Sequence, residues 1–307
     1  MAATEQTAES GDTRAMATAG AAYAIAAYGA WGLNPVYFKA VSDIPALEVL
    51  AHRVVWSLLL VGFLVLVSRR GALLLEALRD RRTLALMALS TAILSVNWLI
   101  YIWAINVERV LETSLGYYIN PLLSVLLGVV VLGERLSRLQ LVAVALAALA
   151  VVNLAVGVAG LPWIALSLAA TFALYGLIRK TARIGALDGM VVETAIMLPL
   201  ALVYIALLAG EGSGHFATVG RWTDLLLILS GPVTMLPLIW FASAARRLPL
   251  SMVGFFQYIA PTGHFLLAVF VFGEPFTRSH LTTFLLIWTA VALFVWESVR
   301  QRSRVAA

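Results

Sequence analysis

Ten stretches of the chain are apolar for about the length of a bilayer-spanning helix, and this constrains the fold more than any other feature. They cover 20–40, 45–67, 83–105, 110–132, 138–157, 161–179, 187–209, 223–245, 249–272 and 279–298. A helix needs about 20 mostly apolar residues to cross the hydrocarbon core. Barrel strands are shorter and alternate polar with apolar residues, a pattern these runs lack. In lipid every backbone polar group needs an internal partner, which a helix supplies within its own segment. The chain is 62% hydrophobic and 12% charged, against about 45–50% and about 25% for soluble domains. The expected fold is therefore an all-α integral membrane protein with ten transmembrane helices.

Basic residues orient the bundle. With the N-terminus in the cytoplasm, sixteen of the 21 Lys and Arg fall in cytoplasmic segments and four outside, with Arg53 inside a span. Such an excess marks the cytoplasmic side, so a multi-pass protein with both termini cytoplasmic is expected. The net charge of +5 then reflects basic loops rather than nucleic-acid binding. Residues 1–19 form a polar tail without the basic-then-apolar pattern of a cleaved signal, and 299–307 form a basic tail. The link "RRGALLLEALRDRR" (69–82) reads as a short basic amphipathic piece lying on the inner membrane surface.

The chain repeats itself. Tyr117 to Glu134 reads "YYINPLLSVLLGVVVLGE", and Gln257 to Glu274 reads "QYIAPTGHFLLAVFVFGE". At the same offset Glu48 meets Asp188, Lys39 meets Arg179, Tyr101 meets Phe241, and Ser137-Arg138 meets Thr277-Arg278. Two five-helix copies, 20–157 and 160–298, follow. Five is odd, so the second copy enters the membrane from the opposite side. Inverted repeats of this kind build secondary transporters, with the substrate site between them near the midplane.

Candidate binding residues follow from helical spacing. Tyr117, Pro121 and Ser124 share one face of span four, and Gln257, Pro261 and His264 share the equivalent face of span nine. Asn120 and Tyr258 flank these stripes. Proline in mid-span frees a carbonyl, which is tolerated where protein or water satisfies it. Trp31 and Asn34 in span one, Asn97, Trp98 and Tyr101 in span three, Tyr175 in span six and Trp240 in span eight complete the set of candidate substrate-binding residues. The competing reading makes the same polar atoms glue between packed helices. Trp163 and Trp222, near span ends, read as interfacial anchors.

Charges inside the membrane are costly and point to function. Glu48 and His52 stand at i and i+4, where they can pair. Arg53 and Glu193 occupy equivalent repeat positions with opposite charge, about 10 Å deep from opposite faces. Local pairing is expected for both, Arg53 with Glu112 or Glu108. These four residues are the candidates for gating or for coupling to protons, against a purely scaffolding role. Gly133-Glu134 and Gly273-Glu274 end spans four and nine, with the carboxylates expected to meet Arg138 and Arg278.

The sequence carries no phosphate-binding loop and no metal-ligand spacing among its four histidines, and it has no cysteine. No cofactor and no enzymatic activity are expected. The alternative, an intramembrane enzyme or lipid-handling protein using Glu48 and His52 as acid and base, lacks a nucleophile or metal.

Two copies ending span four with "NPLLSVLLGVVVLGERLS" resemble the EamA-type repeat of the drug/metabolite transporter superfamily. "WGLNPVYFKAV", "PALEVLAHRVVWS", "ETSLGYYINPLLSV" and "GFFQYIAPT" are together similar to its RarD branch. The resemblance spans residues 20–298. It implies a bacterial inner-membrane permease working by alternating access, with a cavity lined by spans one, three, four, six, eight and nine. Its partners would be the lipid bilayer, a small polar or amphipathic metabolite or drug, and the proton as coupling ion. A monomer is the expectation, with oligomers left open.

Overall fold

In the computed structural model the described residues are 2–107, 109–155, 161–271, 273 and 278–305. Among them the secondary structure is entirely helical: α1 (Ala2–Ala40), α2 (Ala46–Val67), α3 (Gly71–Arg79), α4 (Arg81–Asn106), α5 (Val110–Val130), α6 (Arg138–Ala155), α7 (Trp163–Thr181), α8 (Ala186–Glu211), α9 (Arg221–Arg247), α10 (Leu250–Phe256), α11 (Ile259–Phe270) and α12 (Arg278–Val305). Eight of these, α2, α4 to α9 and α12, are long and apolar enough to cross a membrane. Leu66, Leu200 and Phe270 are more than three-quarters exposed. Large apolar side chains facing outward in such number make this a multi-pass membrane protein, since lipid rather than water must cover them.

Two expected boundaries move. The polar N-terminal tail continues α1 as helix from Ala2, because its Ala, Glu and Gln are good helix formers. The basic C-terminal tail likewise extends α12 to Val305. The link at 69–82 supplies the short helix α3, with Leu75 and Leu78 exposed.

Span nine, expected as one helix, is instead broken into α10 and α11 at Gln257 and Tyr258. Pro261 has no N–H to give the Gln257 carbonyl. That carbonyl accepts from Ala260 at 3.1 Å, while Tyr258 N–H donates to Phe255 at 3.3 Å. These are tighter i to i+3 bonds, typical of a local change of helix type. Its repeat counterpart Pro121 sits inside the unbroken α5.

Helix starts coincide at a constant offset of 140 residues: Ala46 with Ala186, Arg81 with Arg221, Val110 with Leu250, Arg138 with Arg278. Two of the equivalent pairs, α2 with α8 and α6 with α12, also pack on each other, antiparallel. In the α6–α12 pair, Gln140 Nε2 donates to Ser298 Oγ at 3.1 Å and Asn153 Nδ2 to Thr283 Oγ1 at 2.9 Å. The α2–α8 pair is tied at one end by Arg70 and Asp188, 2.7 Å apart, and at the other by Glu48 and His215. Packing elsewhere is reciprocal: α1 lies on α9 and α11, and α7 on α4 and α5.

Small residues permit the closest crossings. A Cβ on Gly263 would stand 2.8 Å from Gly32 Cα, and one on Gly254 would stand 2.8 Å from the Pro121 carbonyl oxygen. These two contacts hold the broken helix against α1 and α5.

Candidate functional site

The two polar stripes face one another. Gln257 Nε2 donates to Ser124 Oγ at 3.2 Å, and the His264 ring lies edge-on to Tyr117 at 5.8 Å. Under the repeat offset each pair is the other's image. Tyr258 OH donates to the Tyr118 carbonyl at 3.4 Å, and these two positions are equivalents of each other. The His264 Nε2 lies 2.9 Å from the Trp31 carbonyl, and a carbonyl only accepts, so Nε2 carries hydrogen. Asn120 is buried and accepts from Ser124 at 3.5 Å. Gln257 and the Tyr28 hydroxyl lie side by side in the buried region between the stripes.

Arg53 reaches from α2 into this region. Its Nε donates to Thr234 Oγ1 on α9 at 2.7 Å, and its guanidinium lies 4.8 Å from the centre of the Trp98 ring on α4. Tyr37, Tyr101 and Tyr117 surround it. The expected local pairing with Glu112 does not form, because Glu112 is taken by Arg109 one helical turn away. Glu108 lies outside the described residues. A cation–π contact contributes about 0.5–2 kcal/mol, whereas placing an arginine mid-helix in a membrane costs about 2.5–3.5 kcal/mol even on the mildest scale. The Thr234 hydrogen bond, about 1.5–3 kcal/mol for a charged donor, offsets much of the remainder. Tyr117 remains 40% exposed although Tyr101 and His264 flank it.

Toward the other end of the bundle the rings close up. Trp31 touches Tyr28, Phe172 and Phe241 with centroids 5.3–5.9 Å apart, and Tyr175 stacks on Phe241 at 5.8 Å. Trp240 packs against the same core. Behind this plug Glu193 accepts from Ser90 Oγ at 2.5 Å and from Tyr175 OH at 3.4 Å, and it faces Arg179 Nη1 at 3.7 Å. Arg179, which the sequence places at the end of a span, is instead among the most deeply buried side chains. Gly189 makes room for it, since a Cβ there would collide with the guanidinium. Asn34 is half-buried on α1, whereas Asn97 spends its amide on Leu168 O and Thr171 Oγ1, joining α4 to α7.

The expected Glu48–His52 pair is replaced by another. Both Glu48 oxygens go to His215, which donates its backbone N–H at 2.6 Å and lies 2.8 Å away through Nδ1. The antiparallel packing of α2 on α8 delivers His215 from the loop after α8, and a backbone amide plus a ring satisfies the carboxylate better than one ring. His52 packs on the Phe216 ring at 5.0 Å, and its Nδ1 has no partner. A cavity of about 300 Å³ opens beside these residues, lined by Glu48, His52, Ile205, Leu208, Phe216 and Thr218. It is separate from the Arg53 cluster.

Residues 18–156 match the model of the EamA-like transporter family. A protein named RarD in Streptomyces exfoliatus is 45% identical, over 94% of this chain and 91% of its own. An uncharacterized transporter of Vibrio cholerae is 46% identical, over 90% and 92%. The chain belongs to the RarD branch of the EamA-like family. A solved crystal structure superposes with a TM-score of 0.70 across 91% of this chain and 97% of that one; at 18% identity the likeness is one of fold.

In this RarD-type chain the Gly-Glu ending has a specific job. Gly133 and Gly273 adopt φ of +68° and +70°, a left-handed conformation that glycine takes without strain. The turn aims Glu134 at the opposite copy, where it accepts from the Leu250 and Ser251 amides at 2.5 and 2.9 Å. The expected partner Arg138 is displaced because the first amides of α10 have no intrahelical acceptor and favour a carboxylate. The equivalent Glu274 lies outside the described residues. Sequence reasoning missed Arg179, Thr234 and His215. Only Arg179 left a signal, as the repeat partner of Lys39 with a charge inside a span.

Proposed function

We propose that this protein is a secondary transporter of the bacterial inner membrane, moving a small polar or amphipathic metabolite or drug by alternating access between two inverted five-helix repeats. One observation carries the reading. The pairs Gln257–Ser124 and His264–Tyr117 exchange under the repeat offset, while Tyr118 and Tyr258 pair with each other. A two-fold axis passing between Tyr118 and Tyr258 would account for all three contacts, and antiparallel packing of α6 on α12 supports an axis in the membrane plane. The broken helix beside the axis supports a substrate site there, since discontinuous helices at repeat interfaces expose backbone groups to cargo.

In this reading the substrate meets Trp31, Asn34, Trp98, Tyr101, Tyr117, Asn120, Gln257, Tyr258 and His264. The Trp31–Phe172–Tyr175–Phe241 rings form the closed gate, with Trp240 behind them and Asn97 fixing α4. With cytoplasmic termini, that gate faces the cytoplasm and the Arg53 cluster lies toward the outer side. Glu193 is the coupling carboxylate: proton exchange there would loosen Arg179 and Tyr175 and thereby the gate, while Glu48, His52 and Arg53 bias the outer side. An enzymatic reading loses its acid–base pair, because Glu48 is engaged by His215.

Reconstitution into proteoliposomes and flux of a labelled metabolite library tests the transport reading. Protein-dependent, saturable uptake or counterflow of at least one compound is expected, and its absence across the library refutes the proposal. Glu193→Gln should abolish accumulation driven by a pH gradient while sparing counterflow; accumulation by that variant would make Glu193 scaffold. Single cysteines at Arg70 and at Ser213 should label from opposite faces of the membrane. Labelling from one face would refute the inverted arrangement.

A further inference from the structure

The geometry points to a carboxylate on the transported molecule, held by Arg53, and so to a cargo that is a small carboxylate with an apolar or aromatic body. This rests on the transporter reading and specifies the chemistry of the same site.

The first argument is a census of acids. Glu193 is held by Arg179 and Ser90, Glu112 by Arg109, Glu48 by His215, Asp188 by Arg70, Glu134 by the α10 amides and Asp224 by the Ala217 amide. Among the described residues, Arg53 forms no ion pair. Among the described residues, each of these acids is committed elsewhere and none of them stands against Arg53. A charge kept in a membrane interior without a counter-ion marks the place of an ionic partner that comes and goes.

The second argument is orientation. Thr234 holds Nε and Trp98 covers one face of the guanidinium. These contacts fix the plane and leave the two terminal nitrogens as a fork, which matches the two oxygens of a carboxylate. A lysine would supply a point charge without that geometry. The third argument is stoichiometry. One guanidinium ringed by neutral tyrosines balances one negative charge, whereas a phosphate dianion would call for a second cation. Trp98, Tyr101 and Tyr117 offer ring faces to the rest of the molecule.

The test uses purified full-length protein in detergent. Monocarboxylates of increasing chain length, aliphatic and aromatic, are each paired with the corresponding carboxamide and primary amine. Binding is read by thermal stabilisation and by quenching of tryptophan fluorescence, and the same panel is run for flux in proteoliposomes. At least one acid should bind about tenfold or more tightly than its amide, the difference expected for a charge-assisted fork. Arg53→Gln should erase that preference, and Arg53→Lys should keep part of it. Both variants are checked for monodispersity so that a folding defect is not read as lost binding. If the amides or amines bind as well as every acid, or if Arg53→Gln keeps the preference, the carboxylate proposal is overturned. Acid binding without flux would leave this site standing and refute transport. Flux of neutral compounds alone would do the reverse.

Discussion

The Arg179–Glu193 pair makes a quantitative prediction. The two groups are 1% and 4% exposed and 3.7 Å apart. At an effective dielectric of about 20, a pair at that distance attracts by about 4–5 kcal/mol. Removing one member of a buried pair costs about 3–5 kcal/mol, because the other charge is left uncompensated. Arg179 would keep its bond to the Ala186 carbonyl at 2.8 Å, and glutamine at 193 could still accept from Ser90. Glu193→Gln should therefore fall at the low end, about 3 kcal/mol. Arg179→Met should cost a similar amount by stranding the carboxylate. The double variant removes both charges and should lie within about 1–2 kcal/mol of the parent, since a neutral pair carries no ionic desolvation cost. The assay is reversible unfolding in mixed micelles with increasing dodecyl sulfate, followed by tryptophan fluorescence. A coupling energy below about 0.5 kcal/mol would mean that the two sites act independently, and the reasoning would fail.

Four further outcomes are expected. Gly263→Ala places a methyl against Gly32 Cα and should destabilise the protein by about 1–3 kcal/mol in the same unfolding assay, the range for overpacking; an unchanged midpoint would contradict the tight α1–α11 crossing. Glu134→Ala uncaps α10 and should cost about 1–2 kcal/mol, with faster amide exchange at Leu250 and Ser251 as the local signature; unchanged exchange there would remove the capping role. Thr83 Oγ1 and then the Arg82 amide hold the Asp80 carboxyl below the usual carboxylate range. A depressed folded pKa stabilises above the ordinary value and is lost as pH falls through the folded one, so protection in the first turn of α4 should fall only in acid and be pH-flat in Asp80→Asn. His215→Ala leaves Glu48 without its ring partner and should lower the unfolding midpoint, with Glu48→Gln/His215→Ala recovering part of the loss; no recovery would refute the pairing.

Sequence pattern carried the helix positions because run length and the 140-residue offset each constrain them independently, and the starts of α2, α4, α5 and α6 recur in α8, α9, α10 and α12. The break at Gln257 was illegible, since Pro121 and Pro261 occupy the same place in the repeat while one helix bends and the other parts. Partner choice was also illegible. Glu48 and His52 share a helix face, but the side chain that takes Glu48 is 167 residues away. Local spacing reports which groups can meet within an element, whereas His215, Thr234 and the α10 amides arrive only when helices from the other copy pack.

The clasp between α6 and α12 bears on how the chain is made. Asn153 and Gln140 sit on a helix completed when half the polypeptide has emerged, yet Thr283 and Ser298 belong to the last helix synthesised. Until then, the Gln140 amide nitrogen lacks its Ser298 acceptor, at a cost for an unsatisfied group in lipid. A chain that stops before residue 278 thus wears its incompleteness on its membrane-facing surface, in the form of a polar group that a finished molecule hides.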